Sequence, residues 1–303
     1  MARMRSQSPQ CNLTLADGSG WIIAAGDEDA APVISQLHHV MQIGATTGSA
    51  PRSDHGILRR ILVLVNARKS AISPVTFHVP LSSDSDGFVV CALQPCAGRD
   101  GLFIQLMQLS SIIARDAQTH GGVLLHGALA ELGGNGVILA APGGTGKTTA
   151  SSRLPAPWNS LCDDTTLVVR DSQGSYWAHP WPTWSSFLWG GSGGRWDVQK
   201  AVSLKGIFFL TQALKERIES VGDGQAVSLL AECAAQASQL MTRGLSKENV
   251  RSLHLERFSN LCALARVIPA HVLYISLTGT FWRDIERTLE ATFNERTLNN
   301  DPA

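Results

Sequence analysis

Val137-Ile138-Leu139-Ala140-Ala141-Pro142-Gly143-Gly144-Thr145-Gly146-Lys147-Thr148-Thr149 is the stretch from which the fold can be read. An apolar strand, a glycine-rich turn and a helix start follow one another. That combination turns consecutive backbone N–H groups inward on a phosphate at a helix N-terminus. In the pattern G-x-x-x-x-G-K-[ST], the lysine, here Lys147, reaches the β- and γ-phosphates and the hydroxyl of Thr148 coordinates Mg²⁺. Ala141 stands where the pattern has its first glycine. Gly143, Gly144 and Gly146 still give the inner turn its freedom, and Pro142 stiffens the entrance. Gly143, Gly144, Thr145, Gly146, Lys147, Thr148 and Thr149 are therefore expected to bind ATP or another nucleoside triphosphate, with Mg²⁺, as a phosphoryl donor.

Asp163 and Asp164 follow Thr148 by fifteen and sixteen residues. A helix over residues 148–154 travels roughly 10 Å from the loop. Pro155 and Pro157 end it, and an extended run over 158–162 returns by roughly 16 Å. Both carboxylates then sit at the mouth of the site. One can hold Mg²⁺ and the other can take the proton of an attacking hydroxyl. Asp164 is taken as the metal ligand beside Thr148, although the spacing leaves the two roles open.

Outward from this core the chain reads as two parts. Residues 1–98 form a small α+β unit: a hairpin of Asn12-Leu13-Thr14-Leu15 and Trp21-Ile22-Ile23-Ala24 around Asp17-Gly18-Ser19-Gly20, then a helix over 28–41. A polar loop over 44–56 and strands at 57–65, 76–79 and 87–93 complete it. In residues 99–303, a helix over 102–120 leads into Val123-Leu124-Leu125-His126, a hairpin across 133–136, and the phosphate loop with a helix from Lys147 to about Leu154. Strands follow at 165–169, 206–210 and 272–277, with helices at 226–242 and 281–294. The expected fold class is α/β, a mixed sheet with flanking helices.

Hydrophobic residues make up 44% of the 303, enough for a sizeable core. The formal net charge of zero gives no support for binding nucleic acid or an acidic membrane. No stretch approaches the roughly 18 apolar residues of a membrane span. The first ten residues lack the apolar core of a secretory signal. Of six cysteines only Cys91 and Cys96 are close, so reduced thiols in a cytoplasmic protein are expected, without structural zinc.

Leu125-His126-Gly127-Ala128-Leu129-Ala130, the run from Val137 to Thr149 and Leu161-Cys162-Asp163-Asp164 resemble, in order and spacing, the HPr kinase/phosphorylase-like branch of P-loop proteins. The fold of that branch is similar to phosphoenolpyruvate carboxykinase. The resemblance implies nucleotide contacts along the loop, Mg²⁺ at Thr148 and one aspartate, and His126 beside the Asp pair, tuning it. Ala178-His179-Pro180-Trp181-Pro182-Thr183-Trp184-Ser185, Trp196 and Leu204-Lys205-Gly206-Ile207-Phe208-Phe209-Leu210 look like the HPr kinase-related SynChlorMet cassette protein C type. Related proteins of lasso-peptide pathways phosphorylate a serine of a precursor peptide. The expectation is thus a kinase whose acceptor is a Ser or Thr of a peptide or small protein, with other cassette enzymes as partners and a homo-oligomer as one possible state. The N-terminal part does not resemble that of bacterial HPr kinase. Two rival readings share the loop: a small-molecule kinase, for example of free serine, and a nucleotide-binding maturation or scaffold protein.

Trp181, Trp184, Trp189 and Trp196, interleaved with Gly190, Gly191, Gly193 and Gly194, read equally as a mobile aromatic clamp or as core anchors. Arg195, Lys200 and His179 are further candidates for neutralising phosphate charge.

Overall fold

A computed structural model describes residues 9–45, 58–65, 87–93, 95, 98–141, 145–184, 187, 194–242 and 245–299. The expected strand at 76–79 lies outside these residues, as do Pro142, Gly143, Gly144, Trp189, Gly190, Gly191, Gly193 and Cys96.

The N-terminal hairpin forms as expected, with β1 (Gln10–Thr14) antiparallel to β2 (Gly20–Ala25). The Asp17 side chain accepts from the backbone N–H and hydroxyl of Ser19, which closes the turn. The first helical stretch divides into a 3-10 turn (Glu28–Ala30), capped by Asp27, and α1 (Ala31–Met41). Asp27 also accepts from the backbone N–H of Val65, which ties the turn to the next strand. β3 (Gly44–Ala45), β4 (Leu58–Leu64) and β5 (Gly87–Ala92) complete a five-stranded sheet in the order β3-β1-β2-β4-β5.

α2 (Gly98–Thr119) leads into an eight-stranded mixed sheet. In chain order come β6 (Val123–Leu132), β7 (Asn135–Ala140), α3 (Lys147–Ser152), β8 (Asn159–Cys162), β9 (Thr165–Arg170) and β10 (Tyr176–Pro180). β11 (Val202–Gln212), β12 (Arg217–Ser220), α4 (Asp223–Ala237), α5 (Lys247–Val267), β13 (Ala270–Ile275) and α6 (Trp282–Asn299) follow. The order is β10-β9-β6-β7-β11-β13-β12, with β8 also on β6 and β10 also reaching β11. β7, β11 and β13 are parallel neighbours, and β6 is antiparallel to β7.

Side chains alternate across this sheet. Leu129, Ile138, Ile207 and Phe209 join one core, shared with α2, α4 and α5, while Leu139, Phe208, Leu210 and Leu273 join a second, under Phe281, Ile285 and Leu289. Helices thus cover both faces, as a sheet with two apolar faces requires.

The first core is continuous from Cys11 to Ala270 and so takes in both sheets. Polar contacts follow the same path. His179, fully buried, accepts from the backbone N–H of Ala16 at 3.1 Å and lies 2.7 Å from the carbonyl of Val198. The backbone N–H of Trp196 donates to the carbonyl of Val40 at 2.7 Å. Arg59 pairs with Asp116 on α2 at 2.7 Å while lying over the Trp21 ring. His179 is therefore a connecting residue, not a phosphate contact.

Burial pushes His179 and His271 below their ordinary pKa. The unfolded chain then binds more protons, so their contribution is complete above about pH 6.5 and is lost as pH falls below it, by up to about 1.4 kcal/mol per pH unit for each group. Urea unfolding between pH 7.5 and 5 should show that decline. His179→Phe, which leaves the Ala16 N–H without its acceptor, should lower stability by about 1–3 kcal/mol and flatten the curve. A pH-independent stability would contradict this placement.

Candidate functional site

β6 organises the site because it is paired along both edges. On one side Gly127–Leu132 pair with β7, the strand that leads into the Gly-Lys-Thr loop. On the other, His126 faces Thr165 of β9 and Leu129 faces Cys162 of β8, so one register runs through β8 and β9. The two residues between them, Asp163 and Asp164, interrupt that long strand opposite Gly127 and Ala128. Thr166, buried on β9, donates its hydroxyl to the carbonyl of Gly127 at 2.9 Å and satisfies an acceptor that the interruption leaves without a ladder partner. Gly127 cannot carry a side chain: a Cβ there would meet Ile138 Cγ2 at 2.7 Å. The strands approach closely just beside His126.

The loop ends at Gly146, whose φ of 103° suits a residue without Cβ. Lys147 opens α3 and is buried. Its ammonium lies 2.8 Å from the Ala141 carbonyl and 2.8 Å from His126 Nε2. His126 Nδ1 lies 3.3 Å from Asp164 Oδ2. With Lys147 as donor, His126 Nε2 is the acceptor, so its hydrogen sits on Nδ1 and faces Asp164. The Thr148 hydroxyl lies 3.5 Å from Asp163 Oδ2. The structure therefore brings His126, Lys147, Thr148, Asp163 and Asp164 together. It sets Thr148 beside Asp163, and Asp164 beside His126.

Burial pushes the Asp164 carboxyl up, but the hydrogen bond from His126 and the charge of Lys147 outweigh it and hold the group below the usual carboxylate range. Burial lowers Lys147, against the opposing charges of Asp164 and Asp163.

Two cavities flank this row. A cleft of about 740 Å³ lies across the ends of the parallel strands, lined by Thr145, Thr149, Arg153, Gln212, Leu214 and Leu277 among others. Such strand ends are where open α/β sheets hold ligands. Gln212 donates to the Thr145 carbonyl at 3.2 Å. Arg153 donates to the carbonyls of Ser276 and Gly279, each at 2.6 Å, and lies over Phe281. Leu214 and Leu277, 100% and 83% exposed, offer the cleft apolar surface. The second cavity, about 290 Å³, has His126, Asp164 and Thr165 on its wall together with Trp181 and Trp184.

Trp181, Trp184 and Trp196 are all buried, as anchors would be. Trp184 donates its indole N–H to Ser110 at 3.0 Å. Arg195 is exposed, and Lys200 pairs with Glu131 toward the far end of β6. Sequence reasoning did not single out Thr166, whose hydroxyl secures the interrupted strand, or Gln212, which sits two residues past the end of the expected strand at 206–210 and meets the loop.

This is a mixed α/β protein with a Gly-Lys-Thr loop, a histidine and an aspartate pair gathered beside one central strand. Residues 89–290 match the family model described as SynChlorMet cassette protein ScmC, and the chain belongs to that family. No curated protein matches it. Among the described residues, no helix is long and apolar enough to cross a membrane.

His126→Phe removes the hydrogen bond that lowers Asp164. Carbon-13 NMR of the carboxyl groups should show Asp164 titrating at higher pH in that variant. An unchanged titration would show that His126 does not govern the group.

Proposed function

We propose that the chain is a Mg²⁺- and ATP-dependent kinase that transfers the γ-phosphoryl group to a hydroxyl, a Ser or Thr of a peptide or small protein, within a peptide-modification cassette. The observation that carries this reading is the division of the aspartate pair: Asp163 lies by Thr148 at the loop, and Asp164 lies by His126 on the wall of a separate cavity. Donor and acceptor can then approach the same phosphorus from opposite sides. The resemblance to HPr kinase-like P-loop proteins, carried by Leu125-His126-Gly127 and Leu161-Cys162-Asp163-Asp164, supports it, as does membership of a family named for a cassette.

In this reading Lys147 and the loop hold the β- and γ-phosphates, and the larger cleft receives the nucleoside against Leu214 and Leu277. Thr148 and Asp163 supply hard oxygen donors of the kind Mg²⁺ takes, and the ion would neutralise charge on the phosphates. Asp164, ionised because its pKa is held low, accepts the acceptor's proton. The acceptor oxygen forms the new P–O bond as the bond from the β–γ bridging oxygen to the γ-phosphorus breaks, and ADP leaves. His126 orients Asp164, and Lys147 stabilises the charge that builds on the transferring group.

Incubation with γ-labelled ATP and peptides encoded beside the gene tests the reading. Label on a peptide hydroxyl is the expected result. Label on free serine would instead favour a small-molecule kinase, and label that stays on ATP or leaves only as phosphate would leave a nucleotide-binding scaffold. Lys147→Ala should lower transfer by at least about 10²-fold. Asp163→Asn should raise the Mg²⁺ requirement, and Asp164→Asn should lower kcat at an unchanged Mg²⁺ requirement. Mild, equal effects of the two would overturn the assignment.

A further inference from the structure

We infer that the smaller cavity is the acceptor subsite and selects an uncharged segment of peptide in which an apolar side chain neighbours the reacting hydroxyl; the inference rests on the kinase reading above. The cavity has the right address: His126 and Asp164 form part of its wall, so a molecule inside it touches the carboxylate assigned to proton transfer. Its volume, about 290 Å³, is at the lower edge of the roughly 300–1,000 Å³ of pockets that enclose a whole small ligand. It suits a residue and its neighbour from a longer chain.

Its chemistry narrows the occupant further. Phe103, Met107, Leu124, Trp181 and Trp184 give it apolar walls from α2, β6 and the segment after β10. Among the described residues that line it, His126 and Asp164 are the titratable groups, and no lysine or arginine is present. A free amino acid would bring a carboxylate into this space with no cation on the wall to pair with it, beside the negative Asp164, and burying a charge that way is costly. A residue inside a peptide brings neutral amides. Ser111 and Gln236 offer polar atoms for these.

The walls are fixed. Trp184 is held by the hydroxyl of Ser110 and meets Phe187 edge to face at 6.1 Å. A preordered apolar wall favours a matching side chain without an ordering cost on binding.

Synthetic peptides acetyl-Gly-Gly-Xaa-Ser-Gly-Gly-amide, with Xaa as Leu, Phe, Asp or Lys, test this on the full chain, with free serine alongside. Binding is read from tryptophan fluorescence with the Ser→Ala forms in the presence of a non-hydrolysable nucleotide, and transfer from KM and kcat with the Ser forms. The Leu and Phe peptides should bind, and show KM values, at least about 10-fold better than the Asp and Lys peptides, the scale of burying one apolar side chain. Phe103→Ala should raise KM for the Leu and Phe peptides by about that factor, and Phe103→Leu should restore much of it. Met107→Ala provides a second wall variant should Phe103→Ala fail to bind nucleotide. Equal binding of all four peptides, or better binding of the charged ones or of serine, overturns the inference. Preferential binding of the apolar peptides without any transfer upholds the subsite and overturns the kinase reading alone.

Discussion

The double pairing of β6 is the constraint on which the rest depends. Ten residues run between β7 on one edge and the β8–β9 strand on the other, and each pairing brings one component of the site. β7 leads into the Gly-Lys-Thr loop, β8–β9 carries the aspartates, and β6 itself carries His126. Because the ladder hydrogen bonds on both edges must be satisfied together, the register cannot drift on one side without loss on the other. Where the pairing is interrupted, at Asp163 and Asp164, the hydroxyl of Thr166 meets the orphaned carbonyl of Gly127. A bare Gly127 leaves its space to the Ile138 side chain of the neighbouring strand, whose Cγ2 a Cβ would meet at 2.7 Å.

The layers on either side of the sheet give the row of Lys147, His126 and Asp164 two different surroundings. Toward the parallel strand ends lies a broad cleft with exposed leucines. Toward α2 lies a narrow cavity with aromatic walls. The N-terminal sheet contributes no residue to the lining of either cavity, yet its core is continuous with the one that supports α2 and the tryptophans.

Much of this could be read from the chain. The strand, glycines and Gly-Lys-Thr of the loop form a local pattern, with no distant partner needed to recognise it. The return of the chain to the aspartates follows from rise per residue alone, and β8 and β9 lie where that reading sets them. Other features depend on tertiary partners and left weaker signals. The helix Lys247–Val267 was not expected, because its apolar residues do not keep to one face: Leu253, Leu261 and Leu264 are buried, while Leu255 and Phe258 are exposed. β12 (Arg217–Ser220) is short, polar and at a sheet edge, where no alternation marks it. The partners of Asp163 and Asp164 were beyond reach of spacing, since both lie equally close to the loop in sequence. Of the two readings of the tryptophans, the anchor reading fits Trp181 and Trp184, which are buried in the core while one side of each lines a cavity.

The aspartates are neighbours in sequence, yet one meets the hydroxyl of Thr148 and the other meets His126. At the bend they form between β8 and β9 the two side chains part, so what assigns each carboxylate its partner is its place counted from Cys162. Removing a single residue between Cys162 and Thr165 would take away one of the two carboxylates and leave the other to serve one partner alone. The site is thus a property of counting as much as of chemistry, and two identical side chains acquire different meanings from the number of peptide bonds that precede them.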